Sequence, residues 1–130
     1  MTFISLDNII KLFSKYWDKF LIDGVSYTLL LSAITVGFGA LLACLIAWMK
    51  TAKIAPVRWL ATAYIEIIRG TPMLLQLYFF YFALPSLIPA LNKQKFLCIA
   101  IALICNSAAY VSEVIRSGLQ SVDVGQTEAA

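Results

Sequence analysis

The sequence contains no histidine, and only 13% of its residues are charged. Without histidine, the three cysteines cannot complete a Cys–His zinc site, and no two of them have a Cys-x-x-Cys spacing. We therefore expect no metal site. Cys44, Cys98 and Cys105 each fall inside an apolar run, which predicts that they pack as small core residues. Ordinary soluble domains carry about 25% charged residues, so the scarcity of charge argues against a water-soluble fold.

Two other functional patterns are missing. The sequence has no Gly-x-x-x-x-Gly-Lys-Ser/Thr loop, so it has no phosphate-binding loop with which to use ATP itself. Ten basic and seven acidic residues leave a formal charge of +3, and the basic residues are scattered at the ends of apolar segments. This scatter indicates no nucleic-acid-binding face and suits anchoring beside a membrane. The first twenty residues mix charges among the apolar positions, so we expect no cleavable signal peptide there.

Apolar residues are what the sequence has in abundance. They make up 62% of the chain, and its mean hydropathy is +0.86. A soluble domain of 130 residues leaves a large fraction of its surface in water and could not hide so much apolar area. The lipid bilayer must therefore be the solvent, and we predict an all-α integral membrane protein.

Three uncharged stretches predict membrane-spanning helices at about residues 24–49, 70–91 and 96–117, of which the third is uncharged from 96 to 112 and continues through Glu113 and Arg116. Each stretch is close to the roughly 20 residues that a helix needs to cross a bilayer. Pro85 and Pro89 should disrupt the last turns of the second span, because proline lacks the N–H that a helix interior requires. The second span then either extends backward past Gly70 or enters the bilayer obliquely.

Residues 1–23 form a separate amphipathic segment. Apolar residues recur there at helical spacing with lysines on the opposite side, and Tyr16 and Trp17 suit the headgroup region. We predict a helix that lies in the membrane surface. A soluble amphipathic arm is the alternative.

A second short amphipathic helix should begin at Pro56 and precede the second span. Its polar side carries Glu66 and Arg69, whose three-residue spacing allows an ion pair. Gly70 suits a left-handed cap at the end of this helix. Thr71 can cap the next helix, and Pro72 suits the first turn of that helix. The pattern predicts a surface helix, a sharp corner and then the second span.

Polar residues interrupt the third span on one side. Asn106, Tyr110 and Glu113 recur at spacings of four and three, and Arg116 is placed to pair with Glu113. Polar groups at this depth face protein or a water-filled space rather than lipid. Asn106 and Glu113 therefore either line a pathway or join helices, and the second role is the more common.

Two long motifs resemble the permease subunits of polar amino acid ABC importers of the histidine, glutamine, glutamate and arginine type. The first motif is residues 64–77, and its characteristic residues here are Glu66, Arg69, Gly70, Thr71, Pro72 and Gln76. The second is residues 106–118, which leads to a Gly-Gln-Thr-Glu-Ala-Ala ending. That ending resembles the start of the EAA loop, the cytoplasmic segment that docks on the ATPase. The resemblance covers about residues 24–130.

The resemblance implies the type-1 importer permease fold, of whose five spans this sequence contains three, followed by the start of the EAA loop at residues 118–130. It implies cytoplasmic residues 50–69 and an external 85–95 loop. The residues that would couple to the ATPase are Gly125, Glu128, Ala129 and Ala130. Asp123 and Val124 stand where the family often has proline and a basic residue, so the charge before Gly125 differs from the family's pattern.

The resemblance also implies how the protein works and with what. A permease has no catalytic residue and binds no cofactor, because ATP is used by a separate ATP-binding subunit. The implied partners are that ATPase, an extracytoplasmic amino-acid-binding protein, a second permease subunit, identical or paralogous, and the lipid bilayer. The implied location is the bacterial inner membrane.

A different class of protein is also compatible with the residues. A small membrane scaffold, or a secondary carrier, could use Glu66, Glu113 and Arg116 as proton or ion groups. Both glutamates have an arginine three residues onward, so each has a local structural partner. This pairing favours the permease interpretation.

Overall fold

A computed structural model describes residues 6–122, and over that range the chain forms helices joined by short turns, with no strand. The α-helices are α1 (Leu6–Asp18), α2 (Ser26–Thr51), α3 (Ala55–Gly70), α4 (Met73–Tyr78), α5 (Leu84–Leu87) and α6 (Lys95–Gln120). Two π-helical segments, Lys19–Val25 and Phe79–Ala83, and a 3-10 turn at Pro89–Leu91 complete the helical elements. The all-α prediction is confirmed.

The chain divides into two compact units, of which the first ends at Ala33. In this unit α1 is the predicted amphipathic helix, and none of its residues is buried. The Phe13 and Trp17 rings lie 5.6 Å apart on its apolar face, and the Lys15 ammonium lies 5.6 Å from the centre of the Tyr16 ring. Its position in the membrane surface stays a prediction, as does the boundary after residue 23.

Two helical stretches, Leu6–Thr51 and Lys95–Gln120, are long and apolar enough to cross a membrane. Helix α3 and the helical run Met73–Leu87 meet the same criterion as a pair bent by 104°, which raises the number of candidate spans to three. The sharp corner that the sequence predicts is therefore present. The helix after the corner begins at Met73, so it does not extend backward past Gly70.

The core of the second unit is built from small residues. Ala43 of α2, Ala61 of α3 and Ala108 of α6 are all at most 2% exposed and belong to one buried cluster. Gly39 lies close to α6, because a Cβ at this position would be only 3.1 Å from the Ser107 hydroxyl oxygen. Membrane helices pack through small residues of this kind, because their backbones can then approach closely.

The cysteine prediction is only partly right. Cys98 is fully buried and Cys105 is partly buried, as expected for packing residues. Cys44 is exposed, so its assignment to the core is wrong. The buried face of α2 runs through Gly39, Ala43 and Ala47, and residue 44 falls beside that face. On the outer side of α2, a cysteine can face an apolar lipid environment, so other protein residues need not cover it.

The two prolines of the second span behave differently from each other. Pro85 lies inside the helical run and is fully buried, so it disrupts the regular helix without ending the run. The turns before it widen into the π-helix Phe79–Ala83, a single-turn π-segment inside a helical run. The run ends at Leu87, and Pro89 opens the following 3-10 turn, as expected of a residue that cannot continue a helix.

Lys95 replaces the hydrogen-bond donor that Pro85 lacks. In an α-helix the carbonyl of Tyr81 would accept from the N–H of residue 85, and proline has none. The Lys95 ammonium donates to that carbonyl at 2.8 Å and lies 4.6 Å from the centre of the Tyr81 ring. Lys95 is the first residue of α6, where the helix dipole disfavours a cation. The carbonyl and the aromatic ring offset that disadvantage.

The hydrogen bond from Lys95 to the Tyr81 carbonyl gives a testable prediction. Lys95→Met should lower the free energy of unfolding by about 1–3 kcal/mol, because it removes a charged donor from the part-buried hydrogen bond to the Tyr81 carbonyl. Adding Pro85→Ala to Lys95→Met should recover part of the loss, because alanine supplies the missing N–H. Lys93→Met is the matched control, since Lys93 is exposed and its removal changes the net charge equally. Unfolding midpoints in detergent would measure the effects, and strict additivity of the two substitutions would contradict the explanation.

Candidate functional site at the helical corner

The corner between α3 and α4 is made by two extended residues. Helix α3 ends at Gly70, and Thr71 has φ −114° and ψ 143°. Pro72 follows with φ −61° and ψ 134°, and α4 begins at Met73. A residue before proline is pushed out of the helical region by the proline ring. The Thr-Pro pair therefore ends one helix and sets the direction of the next.

The structure corrects the role predicted for Gly70. Within residues 6–122 no glycine has a positive φ, so Gly70 does not form a left-handed cap. A Cβ at Gly70 would meet no atom within 4 Å, so a larger residue is not excluded by space either. The prediction is wrong because the extended Thr71 ends the helix, which leaves Gly70 in helical conformation.

Thr71 and Pro72 also differ from prediction. The Thr71 hydroxyl donates back to the carbonyl of Ile67 at 2.9 Å, where it satisfies the end of α3 instead of capping α4. Pro72 occupies the N-cap position of α4, one residue before the first turn where it was expected, and it makes no side-chain cap. Both residues thus serve the end of the first helix more than the start of the second.

Gln76 closes the corner from the second helix. Its side chain is 7% exposed, and its amide nitrogen Nε2 lies 2.7 Å from the carbonyl oxygen of Ile68. The same nitrogen lies 3.1 Å from the carbonyl oxygen and 2.8 Å from the hydroxyl oxygen of Thr71. These acceptors belong to the last turn of α3, whose carbonyls have no partner within the helix. Gln76 supplies the donors that the corner removes.

Asn106 connects this corner to α6. The Gln76 amide nitrogen faces oxygen acceptors, so the Gln76 carbonyl oxygen Oε1 points away from them and can accept a hydrogen bond. Asn106 donates to it through Nδ2 at 3.1 Å. Asn106 therefore joins two helices, one of the two roles that the sequence leaves open. Whether it also lines a pathway stays a prediction.

Arg69 pairs with an aromatic ring rather than with Glu66. Its guanidinium carbon lies 5.3 Å from the centre of the Tyr110 ring, a cation–π contact between the end of α3 and α6. Glu66 is exposed, and the ion pairs formed within residues 6–122 do not include it, so the predicted Glu66–Arg69 pair is wrong. The Tyr110 ring, on the neighbouring helix α6, therefore replaces the Glu66 carboxylate as the partner of Arg69.

A second link between α3 and α6 is a hydrogen bond made by Tyr64, the first residue of the first motif. The Tyr64 hydroxyl donates to the carbonyl of Cys105 at 2.6 Å. The sequence does not predict this bond, because Tyr64 stands out there only as part of the first motif. The only signal available was the amphipathic nature of tyrosine, whose hydroxyl needs a partner wherever the ring is buried.

Glu113 is the centre of an ion-pair network. The predicted partner Arg116 donates from NH2 to Oε2 at 3.1 Å, which confirms the local pair. Lys50, in the last turn of α2, donates to the other carboxylate oxygen, Oε1. The sequence does not predict this second partner. The available signal was that Lys50 directly follows the first uncharged stretch and Glu113 directly follows the third. Because the first and third spans run in the same direction, these two residues should lie on the same side of the membrane.

The remaining predicted site residues are outside this geometry. Gly125, Glu128, Ala129 and Ala130 lie beyond the described residues. Among the residues that are described, no three His, Cys, Asp or Glu side chains come together as metal ligands would. The site is therefore a set of hydrogen bonds and ion pairs that position helices, and its chemistry is that of binding and movement.

The hydrogen bonds of Gln76 give a second prediction. Gln76→Leu should lower the unfolding midpoint and membrane accumulation, because each buried polar group left unpaired costs about 1–3 kcal/mol. Gln76→Glu should be at least as harmful, since a carboxylate cannot donate to the carbonyls of α3. Gly70→Ala is the matched control six residues away and should be tolerated. A Gln76→Leu protein as stable as the wild type would show that the corner is stable without the hydrogen bonds of Gln76.

Comparison with known proteins shows the family of this chain. Residues 35–130 match the family described as the binding-protein-dependent transport system inner membrane component. The chain is 45% identical over 118 residues to a putative glutamine transport system permease protein of Rickettsia conorii, covering 89% of this chain and 54% of that protein. It is 39% identical over 111 residues to the arginine transport system permease protein of Bacillus subtilis, covering 85% of this chain and 50% of that protein.

A solved structure is similar over almost the whole chain. The crystal structure of an amino acid ABC transporter with histidines contains a chain that is 39% identical, with a TM-score of 0.78, covering 99% of this chain and 57% of that one. The present chain thus spans about half the length of the relatives it matches. It is an all-helical integral membrane protein, and it belongs to the family of binding-protein-dependent transport system inner membrane components.

Proposed function

We propose that this chain is part of the permease subunit of an ATP-driven amino acid importer in the bacterial inner membrane. The observation that carries the proposal is the family match over residues 35–130, together with relatives named for glutamine and arginine transport. A further relative, from Bacillus subtilis, is named for L-cystine transport, and the chain is 37% identical to it. All three named substrates are amino acids, and the proposed substrate class is polar amino acids, to which glutamine and arginine belong.

The permease has no catalytic step of its own in this proposal. A separate ATP-binding subunit hydrolyses ATP, an extracytoplasmic binding protein delivers the amino acid, and a second permease subunit completes the pathway. A conformational change can be driven only by a partner that binds one state better than the other. The connection to the ATPase would be residues 118–130, which begin in the last turn of α6. Glu128 at the start of a helix would be favoured by the helix dipole, and Gly125, Ala129 and Ala130 would accompany it.

The alternative of a secondary carrier receives less support from the geometry. Such a carrier needs groups that can gain and lose protons or ions along a pathway. Glu113 is held by two cations, and Arg116 is one of them. Glu66 is exposed and takes no part in that network. The three residues therefore do not form one ion-binding site.

The energy source distinguishes the two functions. The protein that carries residues 1–130 should be reconstituted in vesicles with its ATPase and binding protein, and uptake of radiolabelled glutamine and arginine should be measured. We expect uptake of at least one of them when ATP is supplied, and none with an ATPase partner that cannot hydrolyse ATP. Uptake driven by a proton gradient without ATP hydrolysis would contradict the proposal.

The same assembly tests the predicted coupling residues. Glu128→Lys reverses the charge at a helix start and should lower the stimulation of ATP hydrolysis by the loaded binding protein. Membrane accumulation should be unchanged, since residue 128 lies beyond the last apolar stretch. Stimulation that survives the substitution in correctly assembled complexes would remove the coupling role assigned to Glu128.

A further inference from the structure

Lys50, Glu113 and Arg116 form a continuous ionic network, here called the triad, between α2 and α6. Lys50 donates to one carboxylate oxygen of Glu113, and Arg116 donates to the other at 3.1 Å. Arg116 also donates from NH1 to the side-chain oxygen of Gln120 at 3.0 Å. Gln120 is the last residue of α6. The triad therefore connects the end of α2 to the very end of α6.

The burial and the charges of the triad make its geometry specific. The side chains of Lys50 and Glu113 are only 19% and 18% exposed, so water replaces neither partner well. Both carboxylate oxygens are occupied, one by a local partner and one by a partner 63 residues away. Removing either cation leaves a carboxylate oxygen in a partly buried place with no charged partner. Lys50 is also favoured in the last turn of α2, where the helix dipole attracts a cation.

The position of the triad suggests what it does. Residues 118–130, the proposed connection to the ATPase, begin within the last turn of α6. A movement of that segment reaches α6 first, and α6 shares with α2 the ion pair of Lys50 and Glu113. We propose that the triad is a positioning device that makes the ends of α2 and α6 move together when the ATPase acts on the chain after α6. This inference rests on the proposed function, because it assigns a task to residues within that mechanism.

The structural half of the proposal is tested by distance measurement. Spin labels should be placed at the exposed positions Thr51 and Leu119 of a cysteine-free protein, and the distribution of distances between them measured within one subunit. Lys50→Met and Glu113→Gln should broaden the distribution. Lys53→Met should leave it unchanged, because Lys53 is an exposed lysine near the same helix end and its loss changes the net charge equally. Equal widths in Lys50→Met and Lys53→Met would overturn the proposal.

The functional half is tested by the number of ATP molecules hydrolysed per amino acid taken up. Losing one such ion pair should raise this ratio about fivefold in Lys50→Met, which corresponds to a contact of about 1 kcal/mol. Lys50→Arg should restore the wild-type ratio, since arginine keeps the charge. The inverted network Lys50→Glu, Glu113→Lys and Arg116→Glu should restore it in part, since it keeps the pairing with the signs exchanged.

The outcomes separate this inference from the proposed function. An unchanged ratio in Lys50→Met, in complexes that assemble normally, would overturn the positioning role even if the label distances broaden. A wild-type assembly that takes up no amino acid would refute the proposed function and, with it, the transport role of the triad. The label distances would then still decide whether the triad joins α2 to α6.

Discussion

The fold of the second unit depends on where the polar groups of a bent helix find partners when water is excluded. A corner of 104° leaves the last carbonyls of α3 without the N–H groups of a following turn. In a bilayer such groups must be satisfied inside the protein. The Gln76 amide does this for Ile68 and Thr71, and its remaining oxygen accepts from Asn106. One side chain thus permits the corner and ties it to α6.

The same constraint explains the other irregular places in the chain. Pro85 removes a backbone donor, and the Lys95 ammonium provides one to the carbonyl of Tyr81. Glu113 carries a charge near the end of α6, and cations from two helices surround it. In these three places, the deviation is matched by a side chain from a different element. These matches are what fix the relative positions of helices whose packed faces consist mainly of alanine and glycine.

Most of the helices could be predicted from the sequence, because their signals are local. Uncharged runs of the right length predict α2 and α6, and the three-residue spacing predicts the Glu113–Arg116 pair. The corner follows from the Gly-Thr-Pro sequence, although the prediction placed the unusual backbone at Gly70 when it is the extended Thr71 that ends the helix. A left-handed glycine and an extended residue before proline both end helices, and composition does not distinguish them.

The partners across helices were not predictable in the same way. Lys50 and Glu113 are 63 residues apart, and the pairing depends on how α2 and α6 align in depth. Arg69 had a carboxylate at the favoured local spacing, yet it lies over the Tyr110 ring because α6 brings that ring to the end of α3. Gln76 stood out in the sequence only as a motif residue. Its role depends on the direction in which the corner turns the chain.

Gln76 and Asn106 stabilise the fold through one another, and a double-mutant cycle measures this dependence. The unfolding free energies of wild type, Gln76→Leu, Asn106→Leu and the double variant should be measured in the same detergent. We predict a coupling energy of about 0.5–1.5 kcal/mol, because the second substitution removes a group that the first has already left unpaired. Additive losses, with no coupling beyond the error of the measurement, would contradict the account.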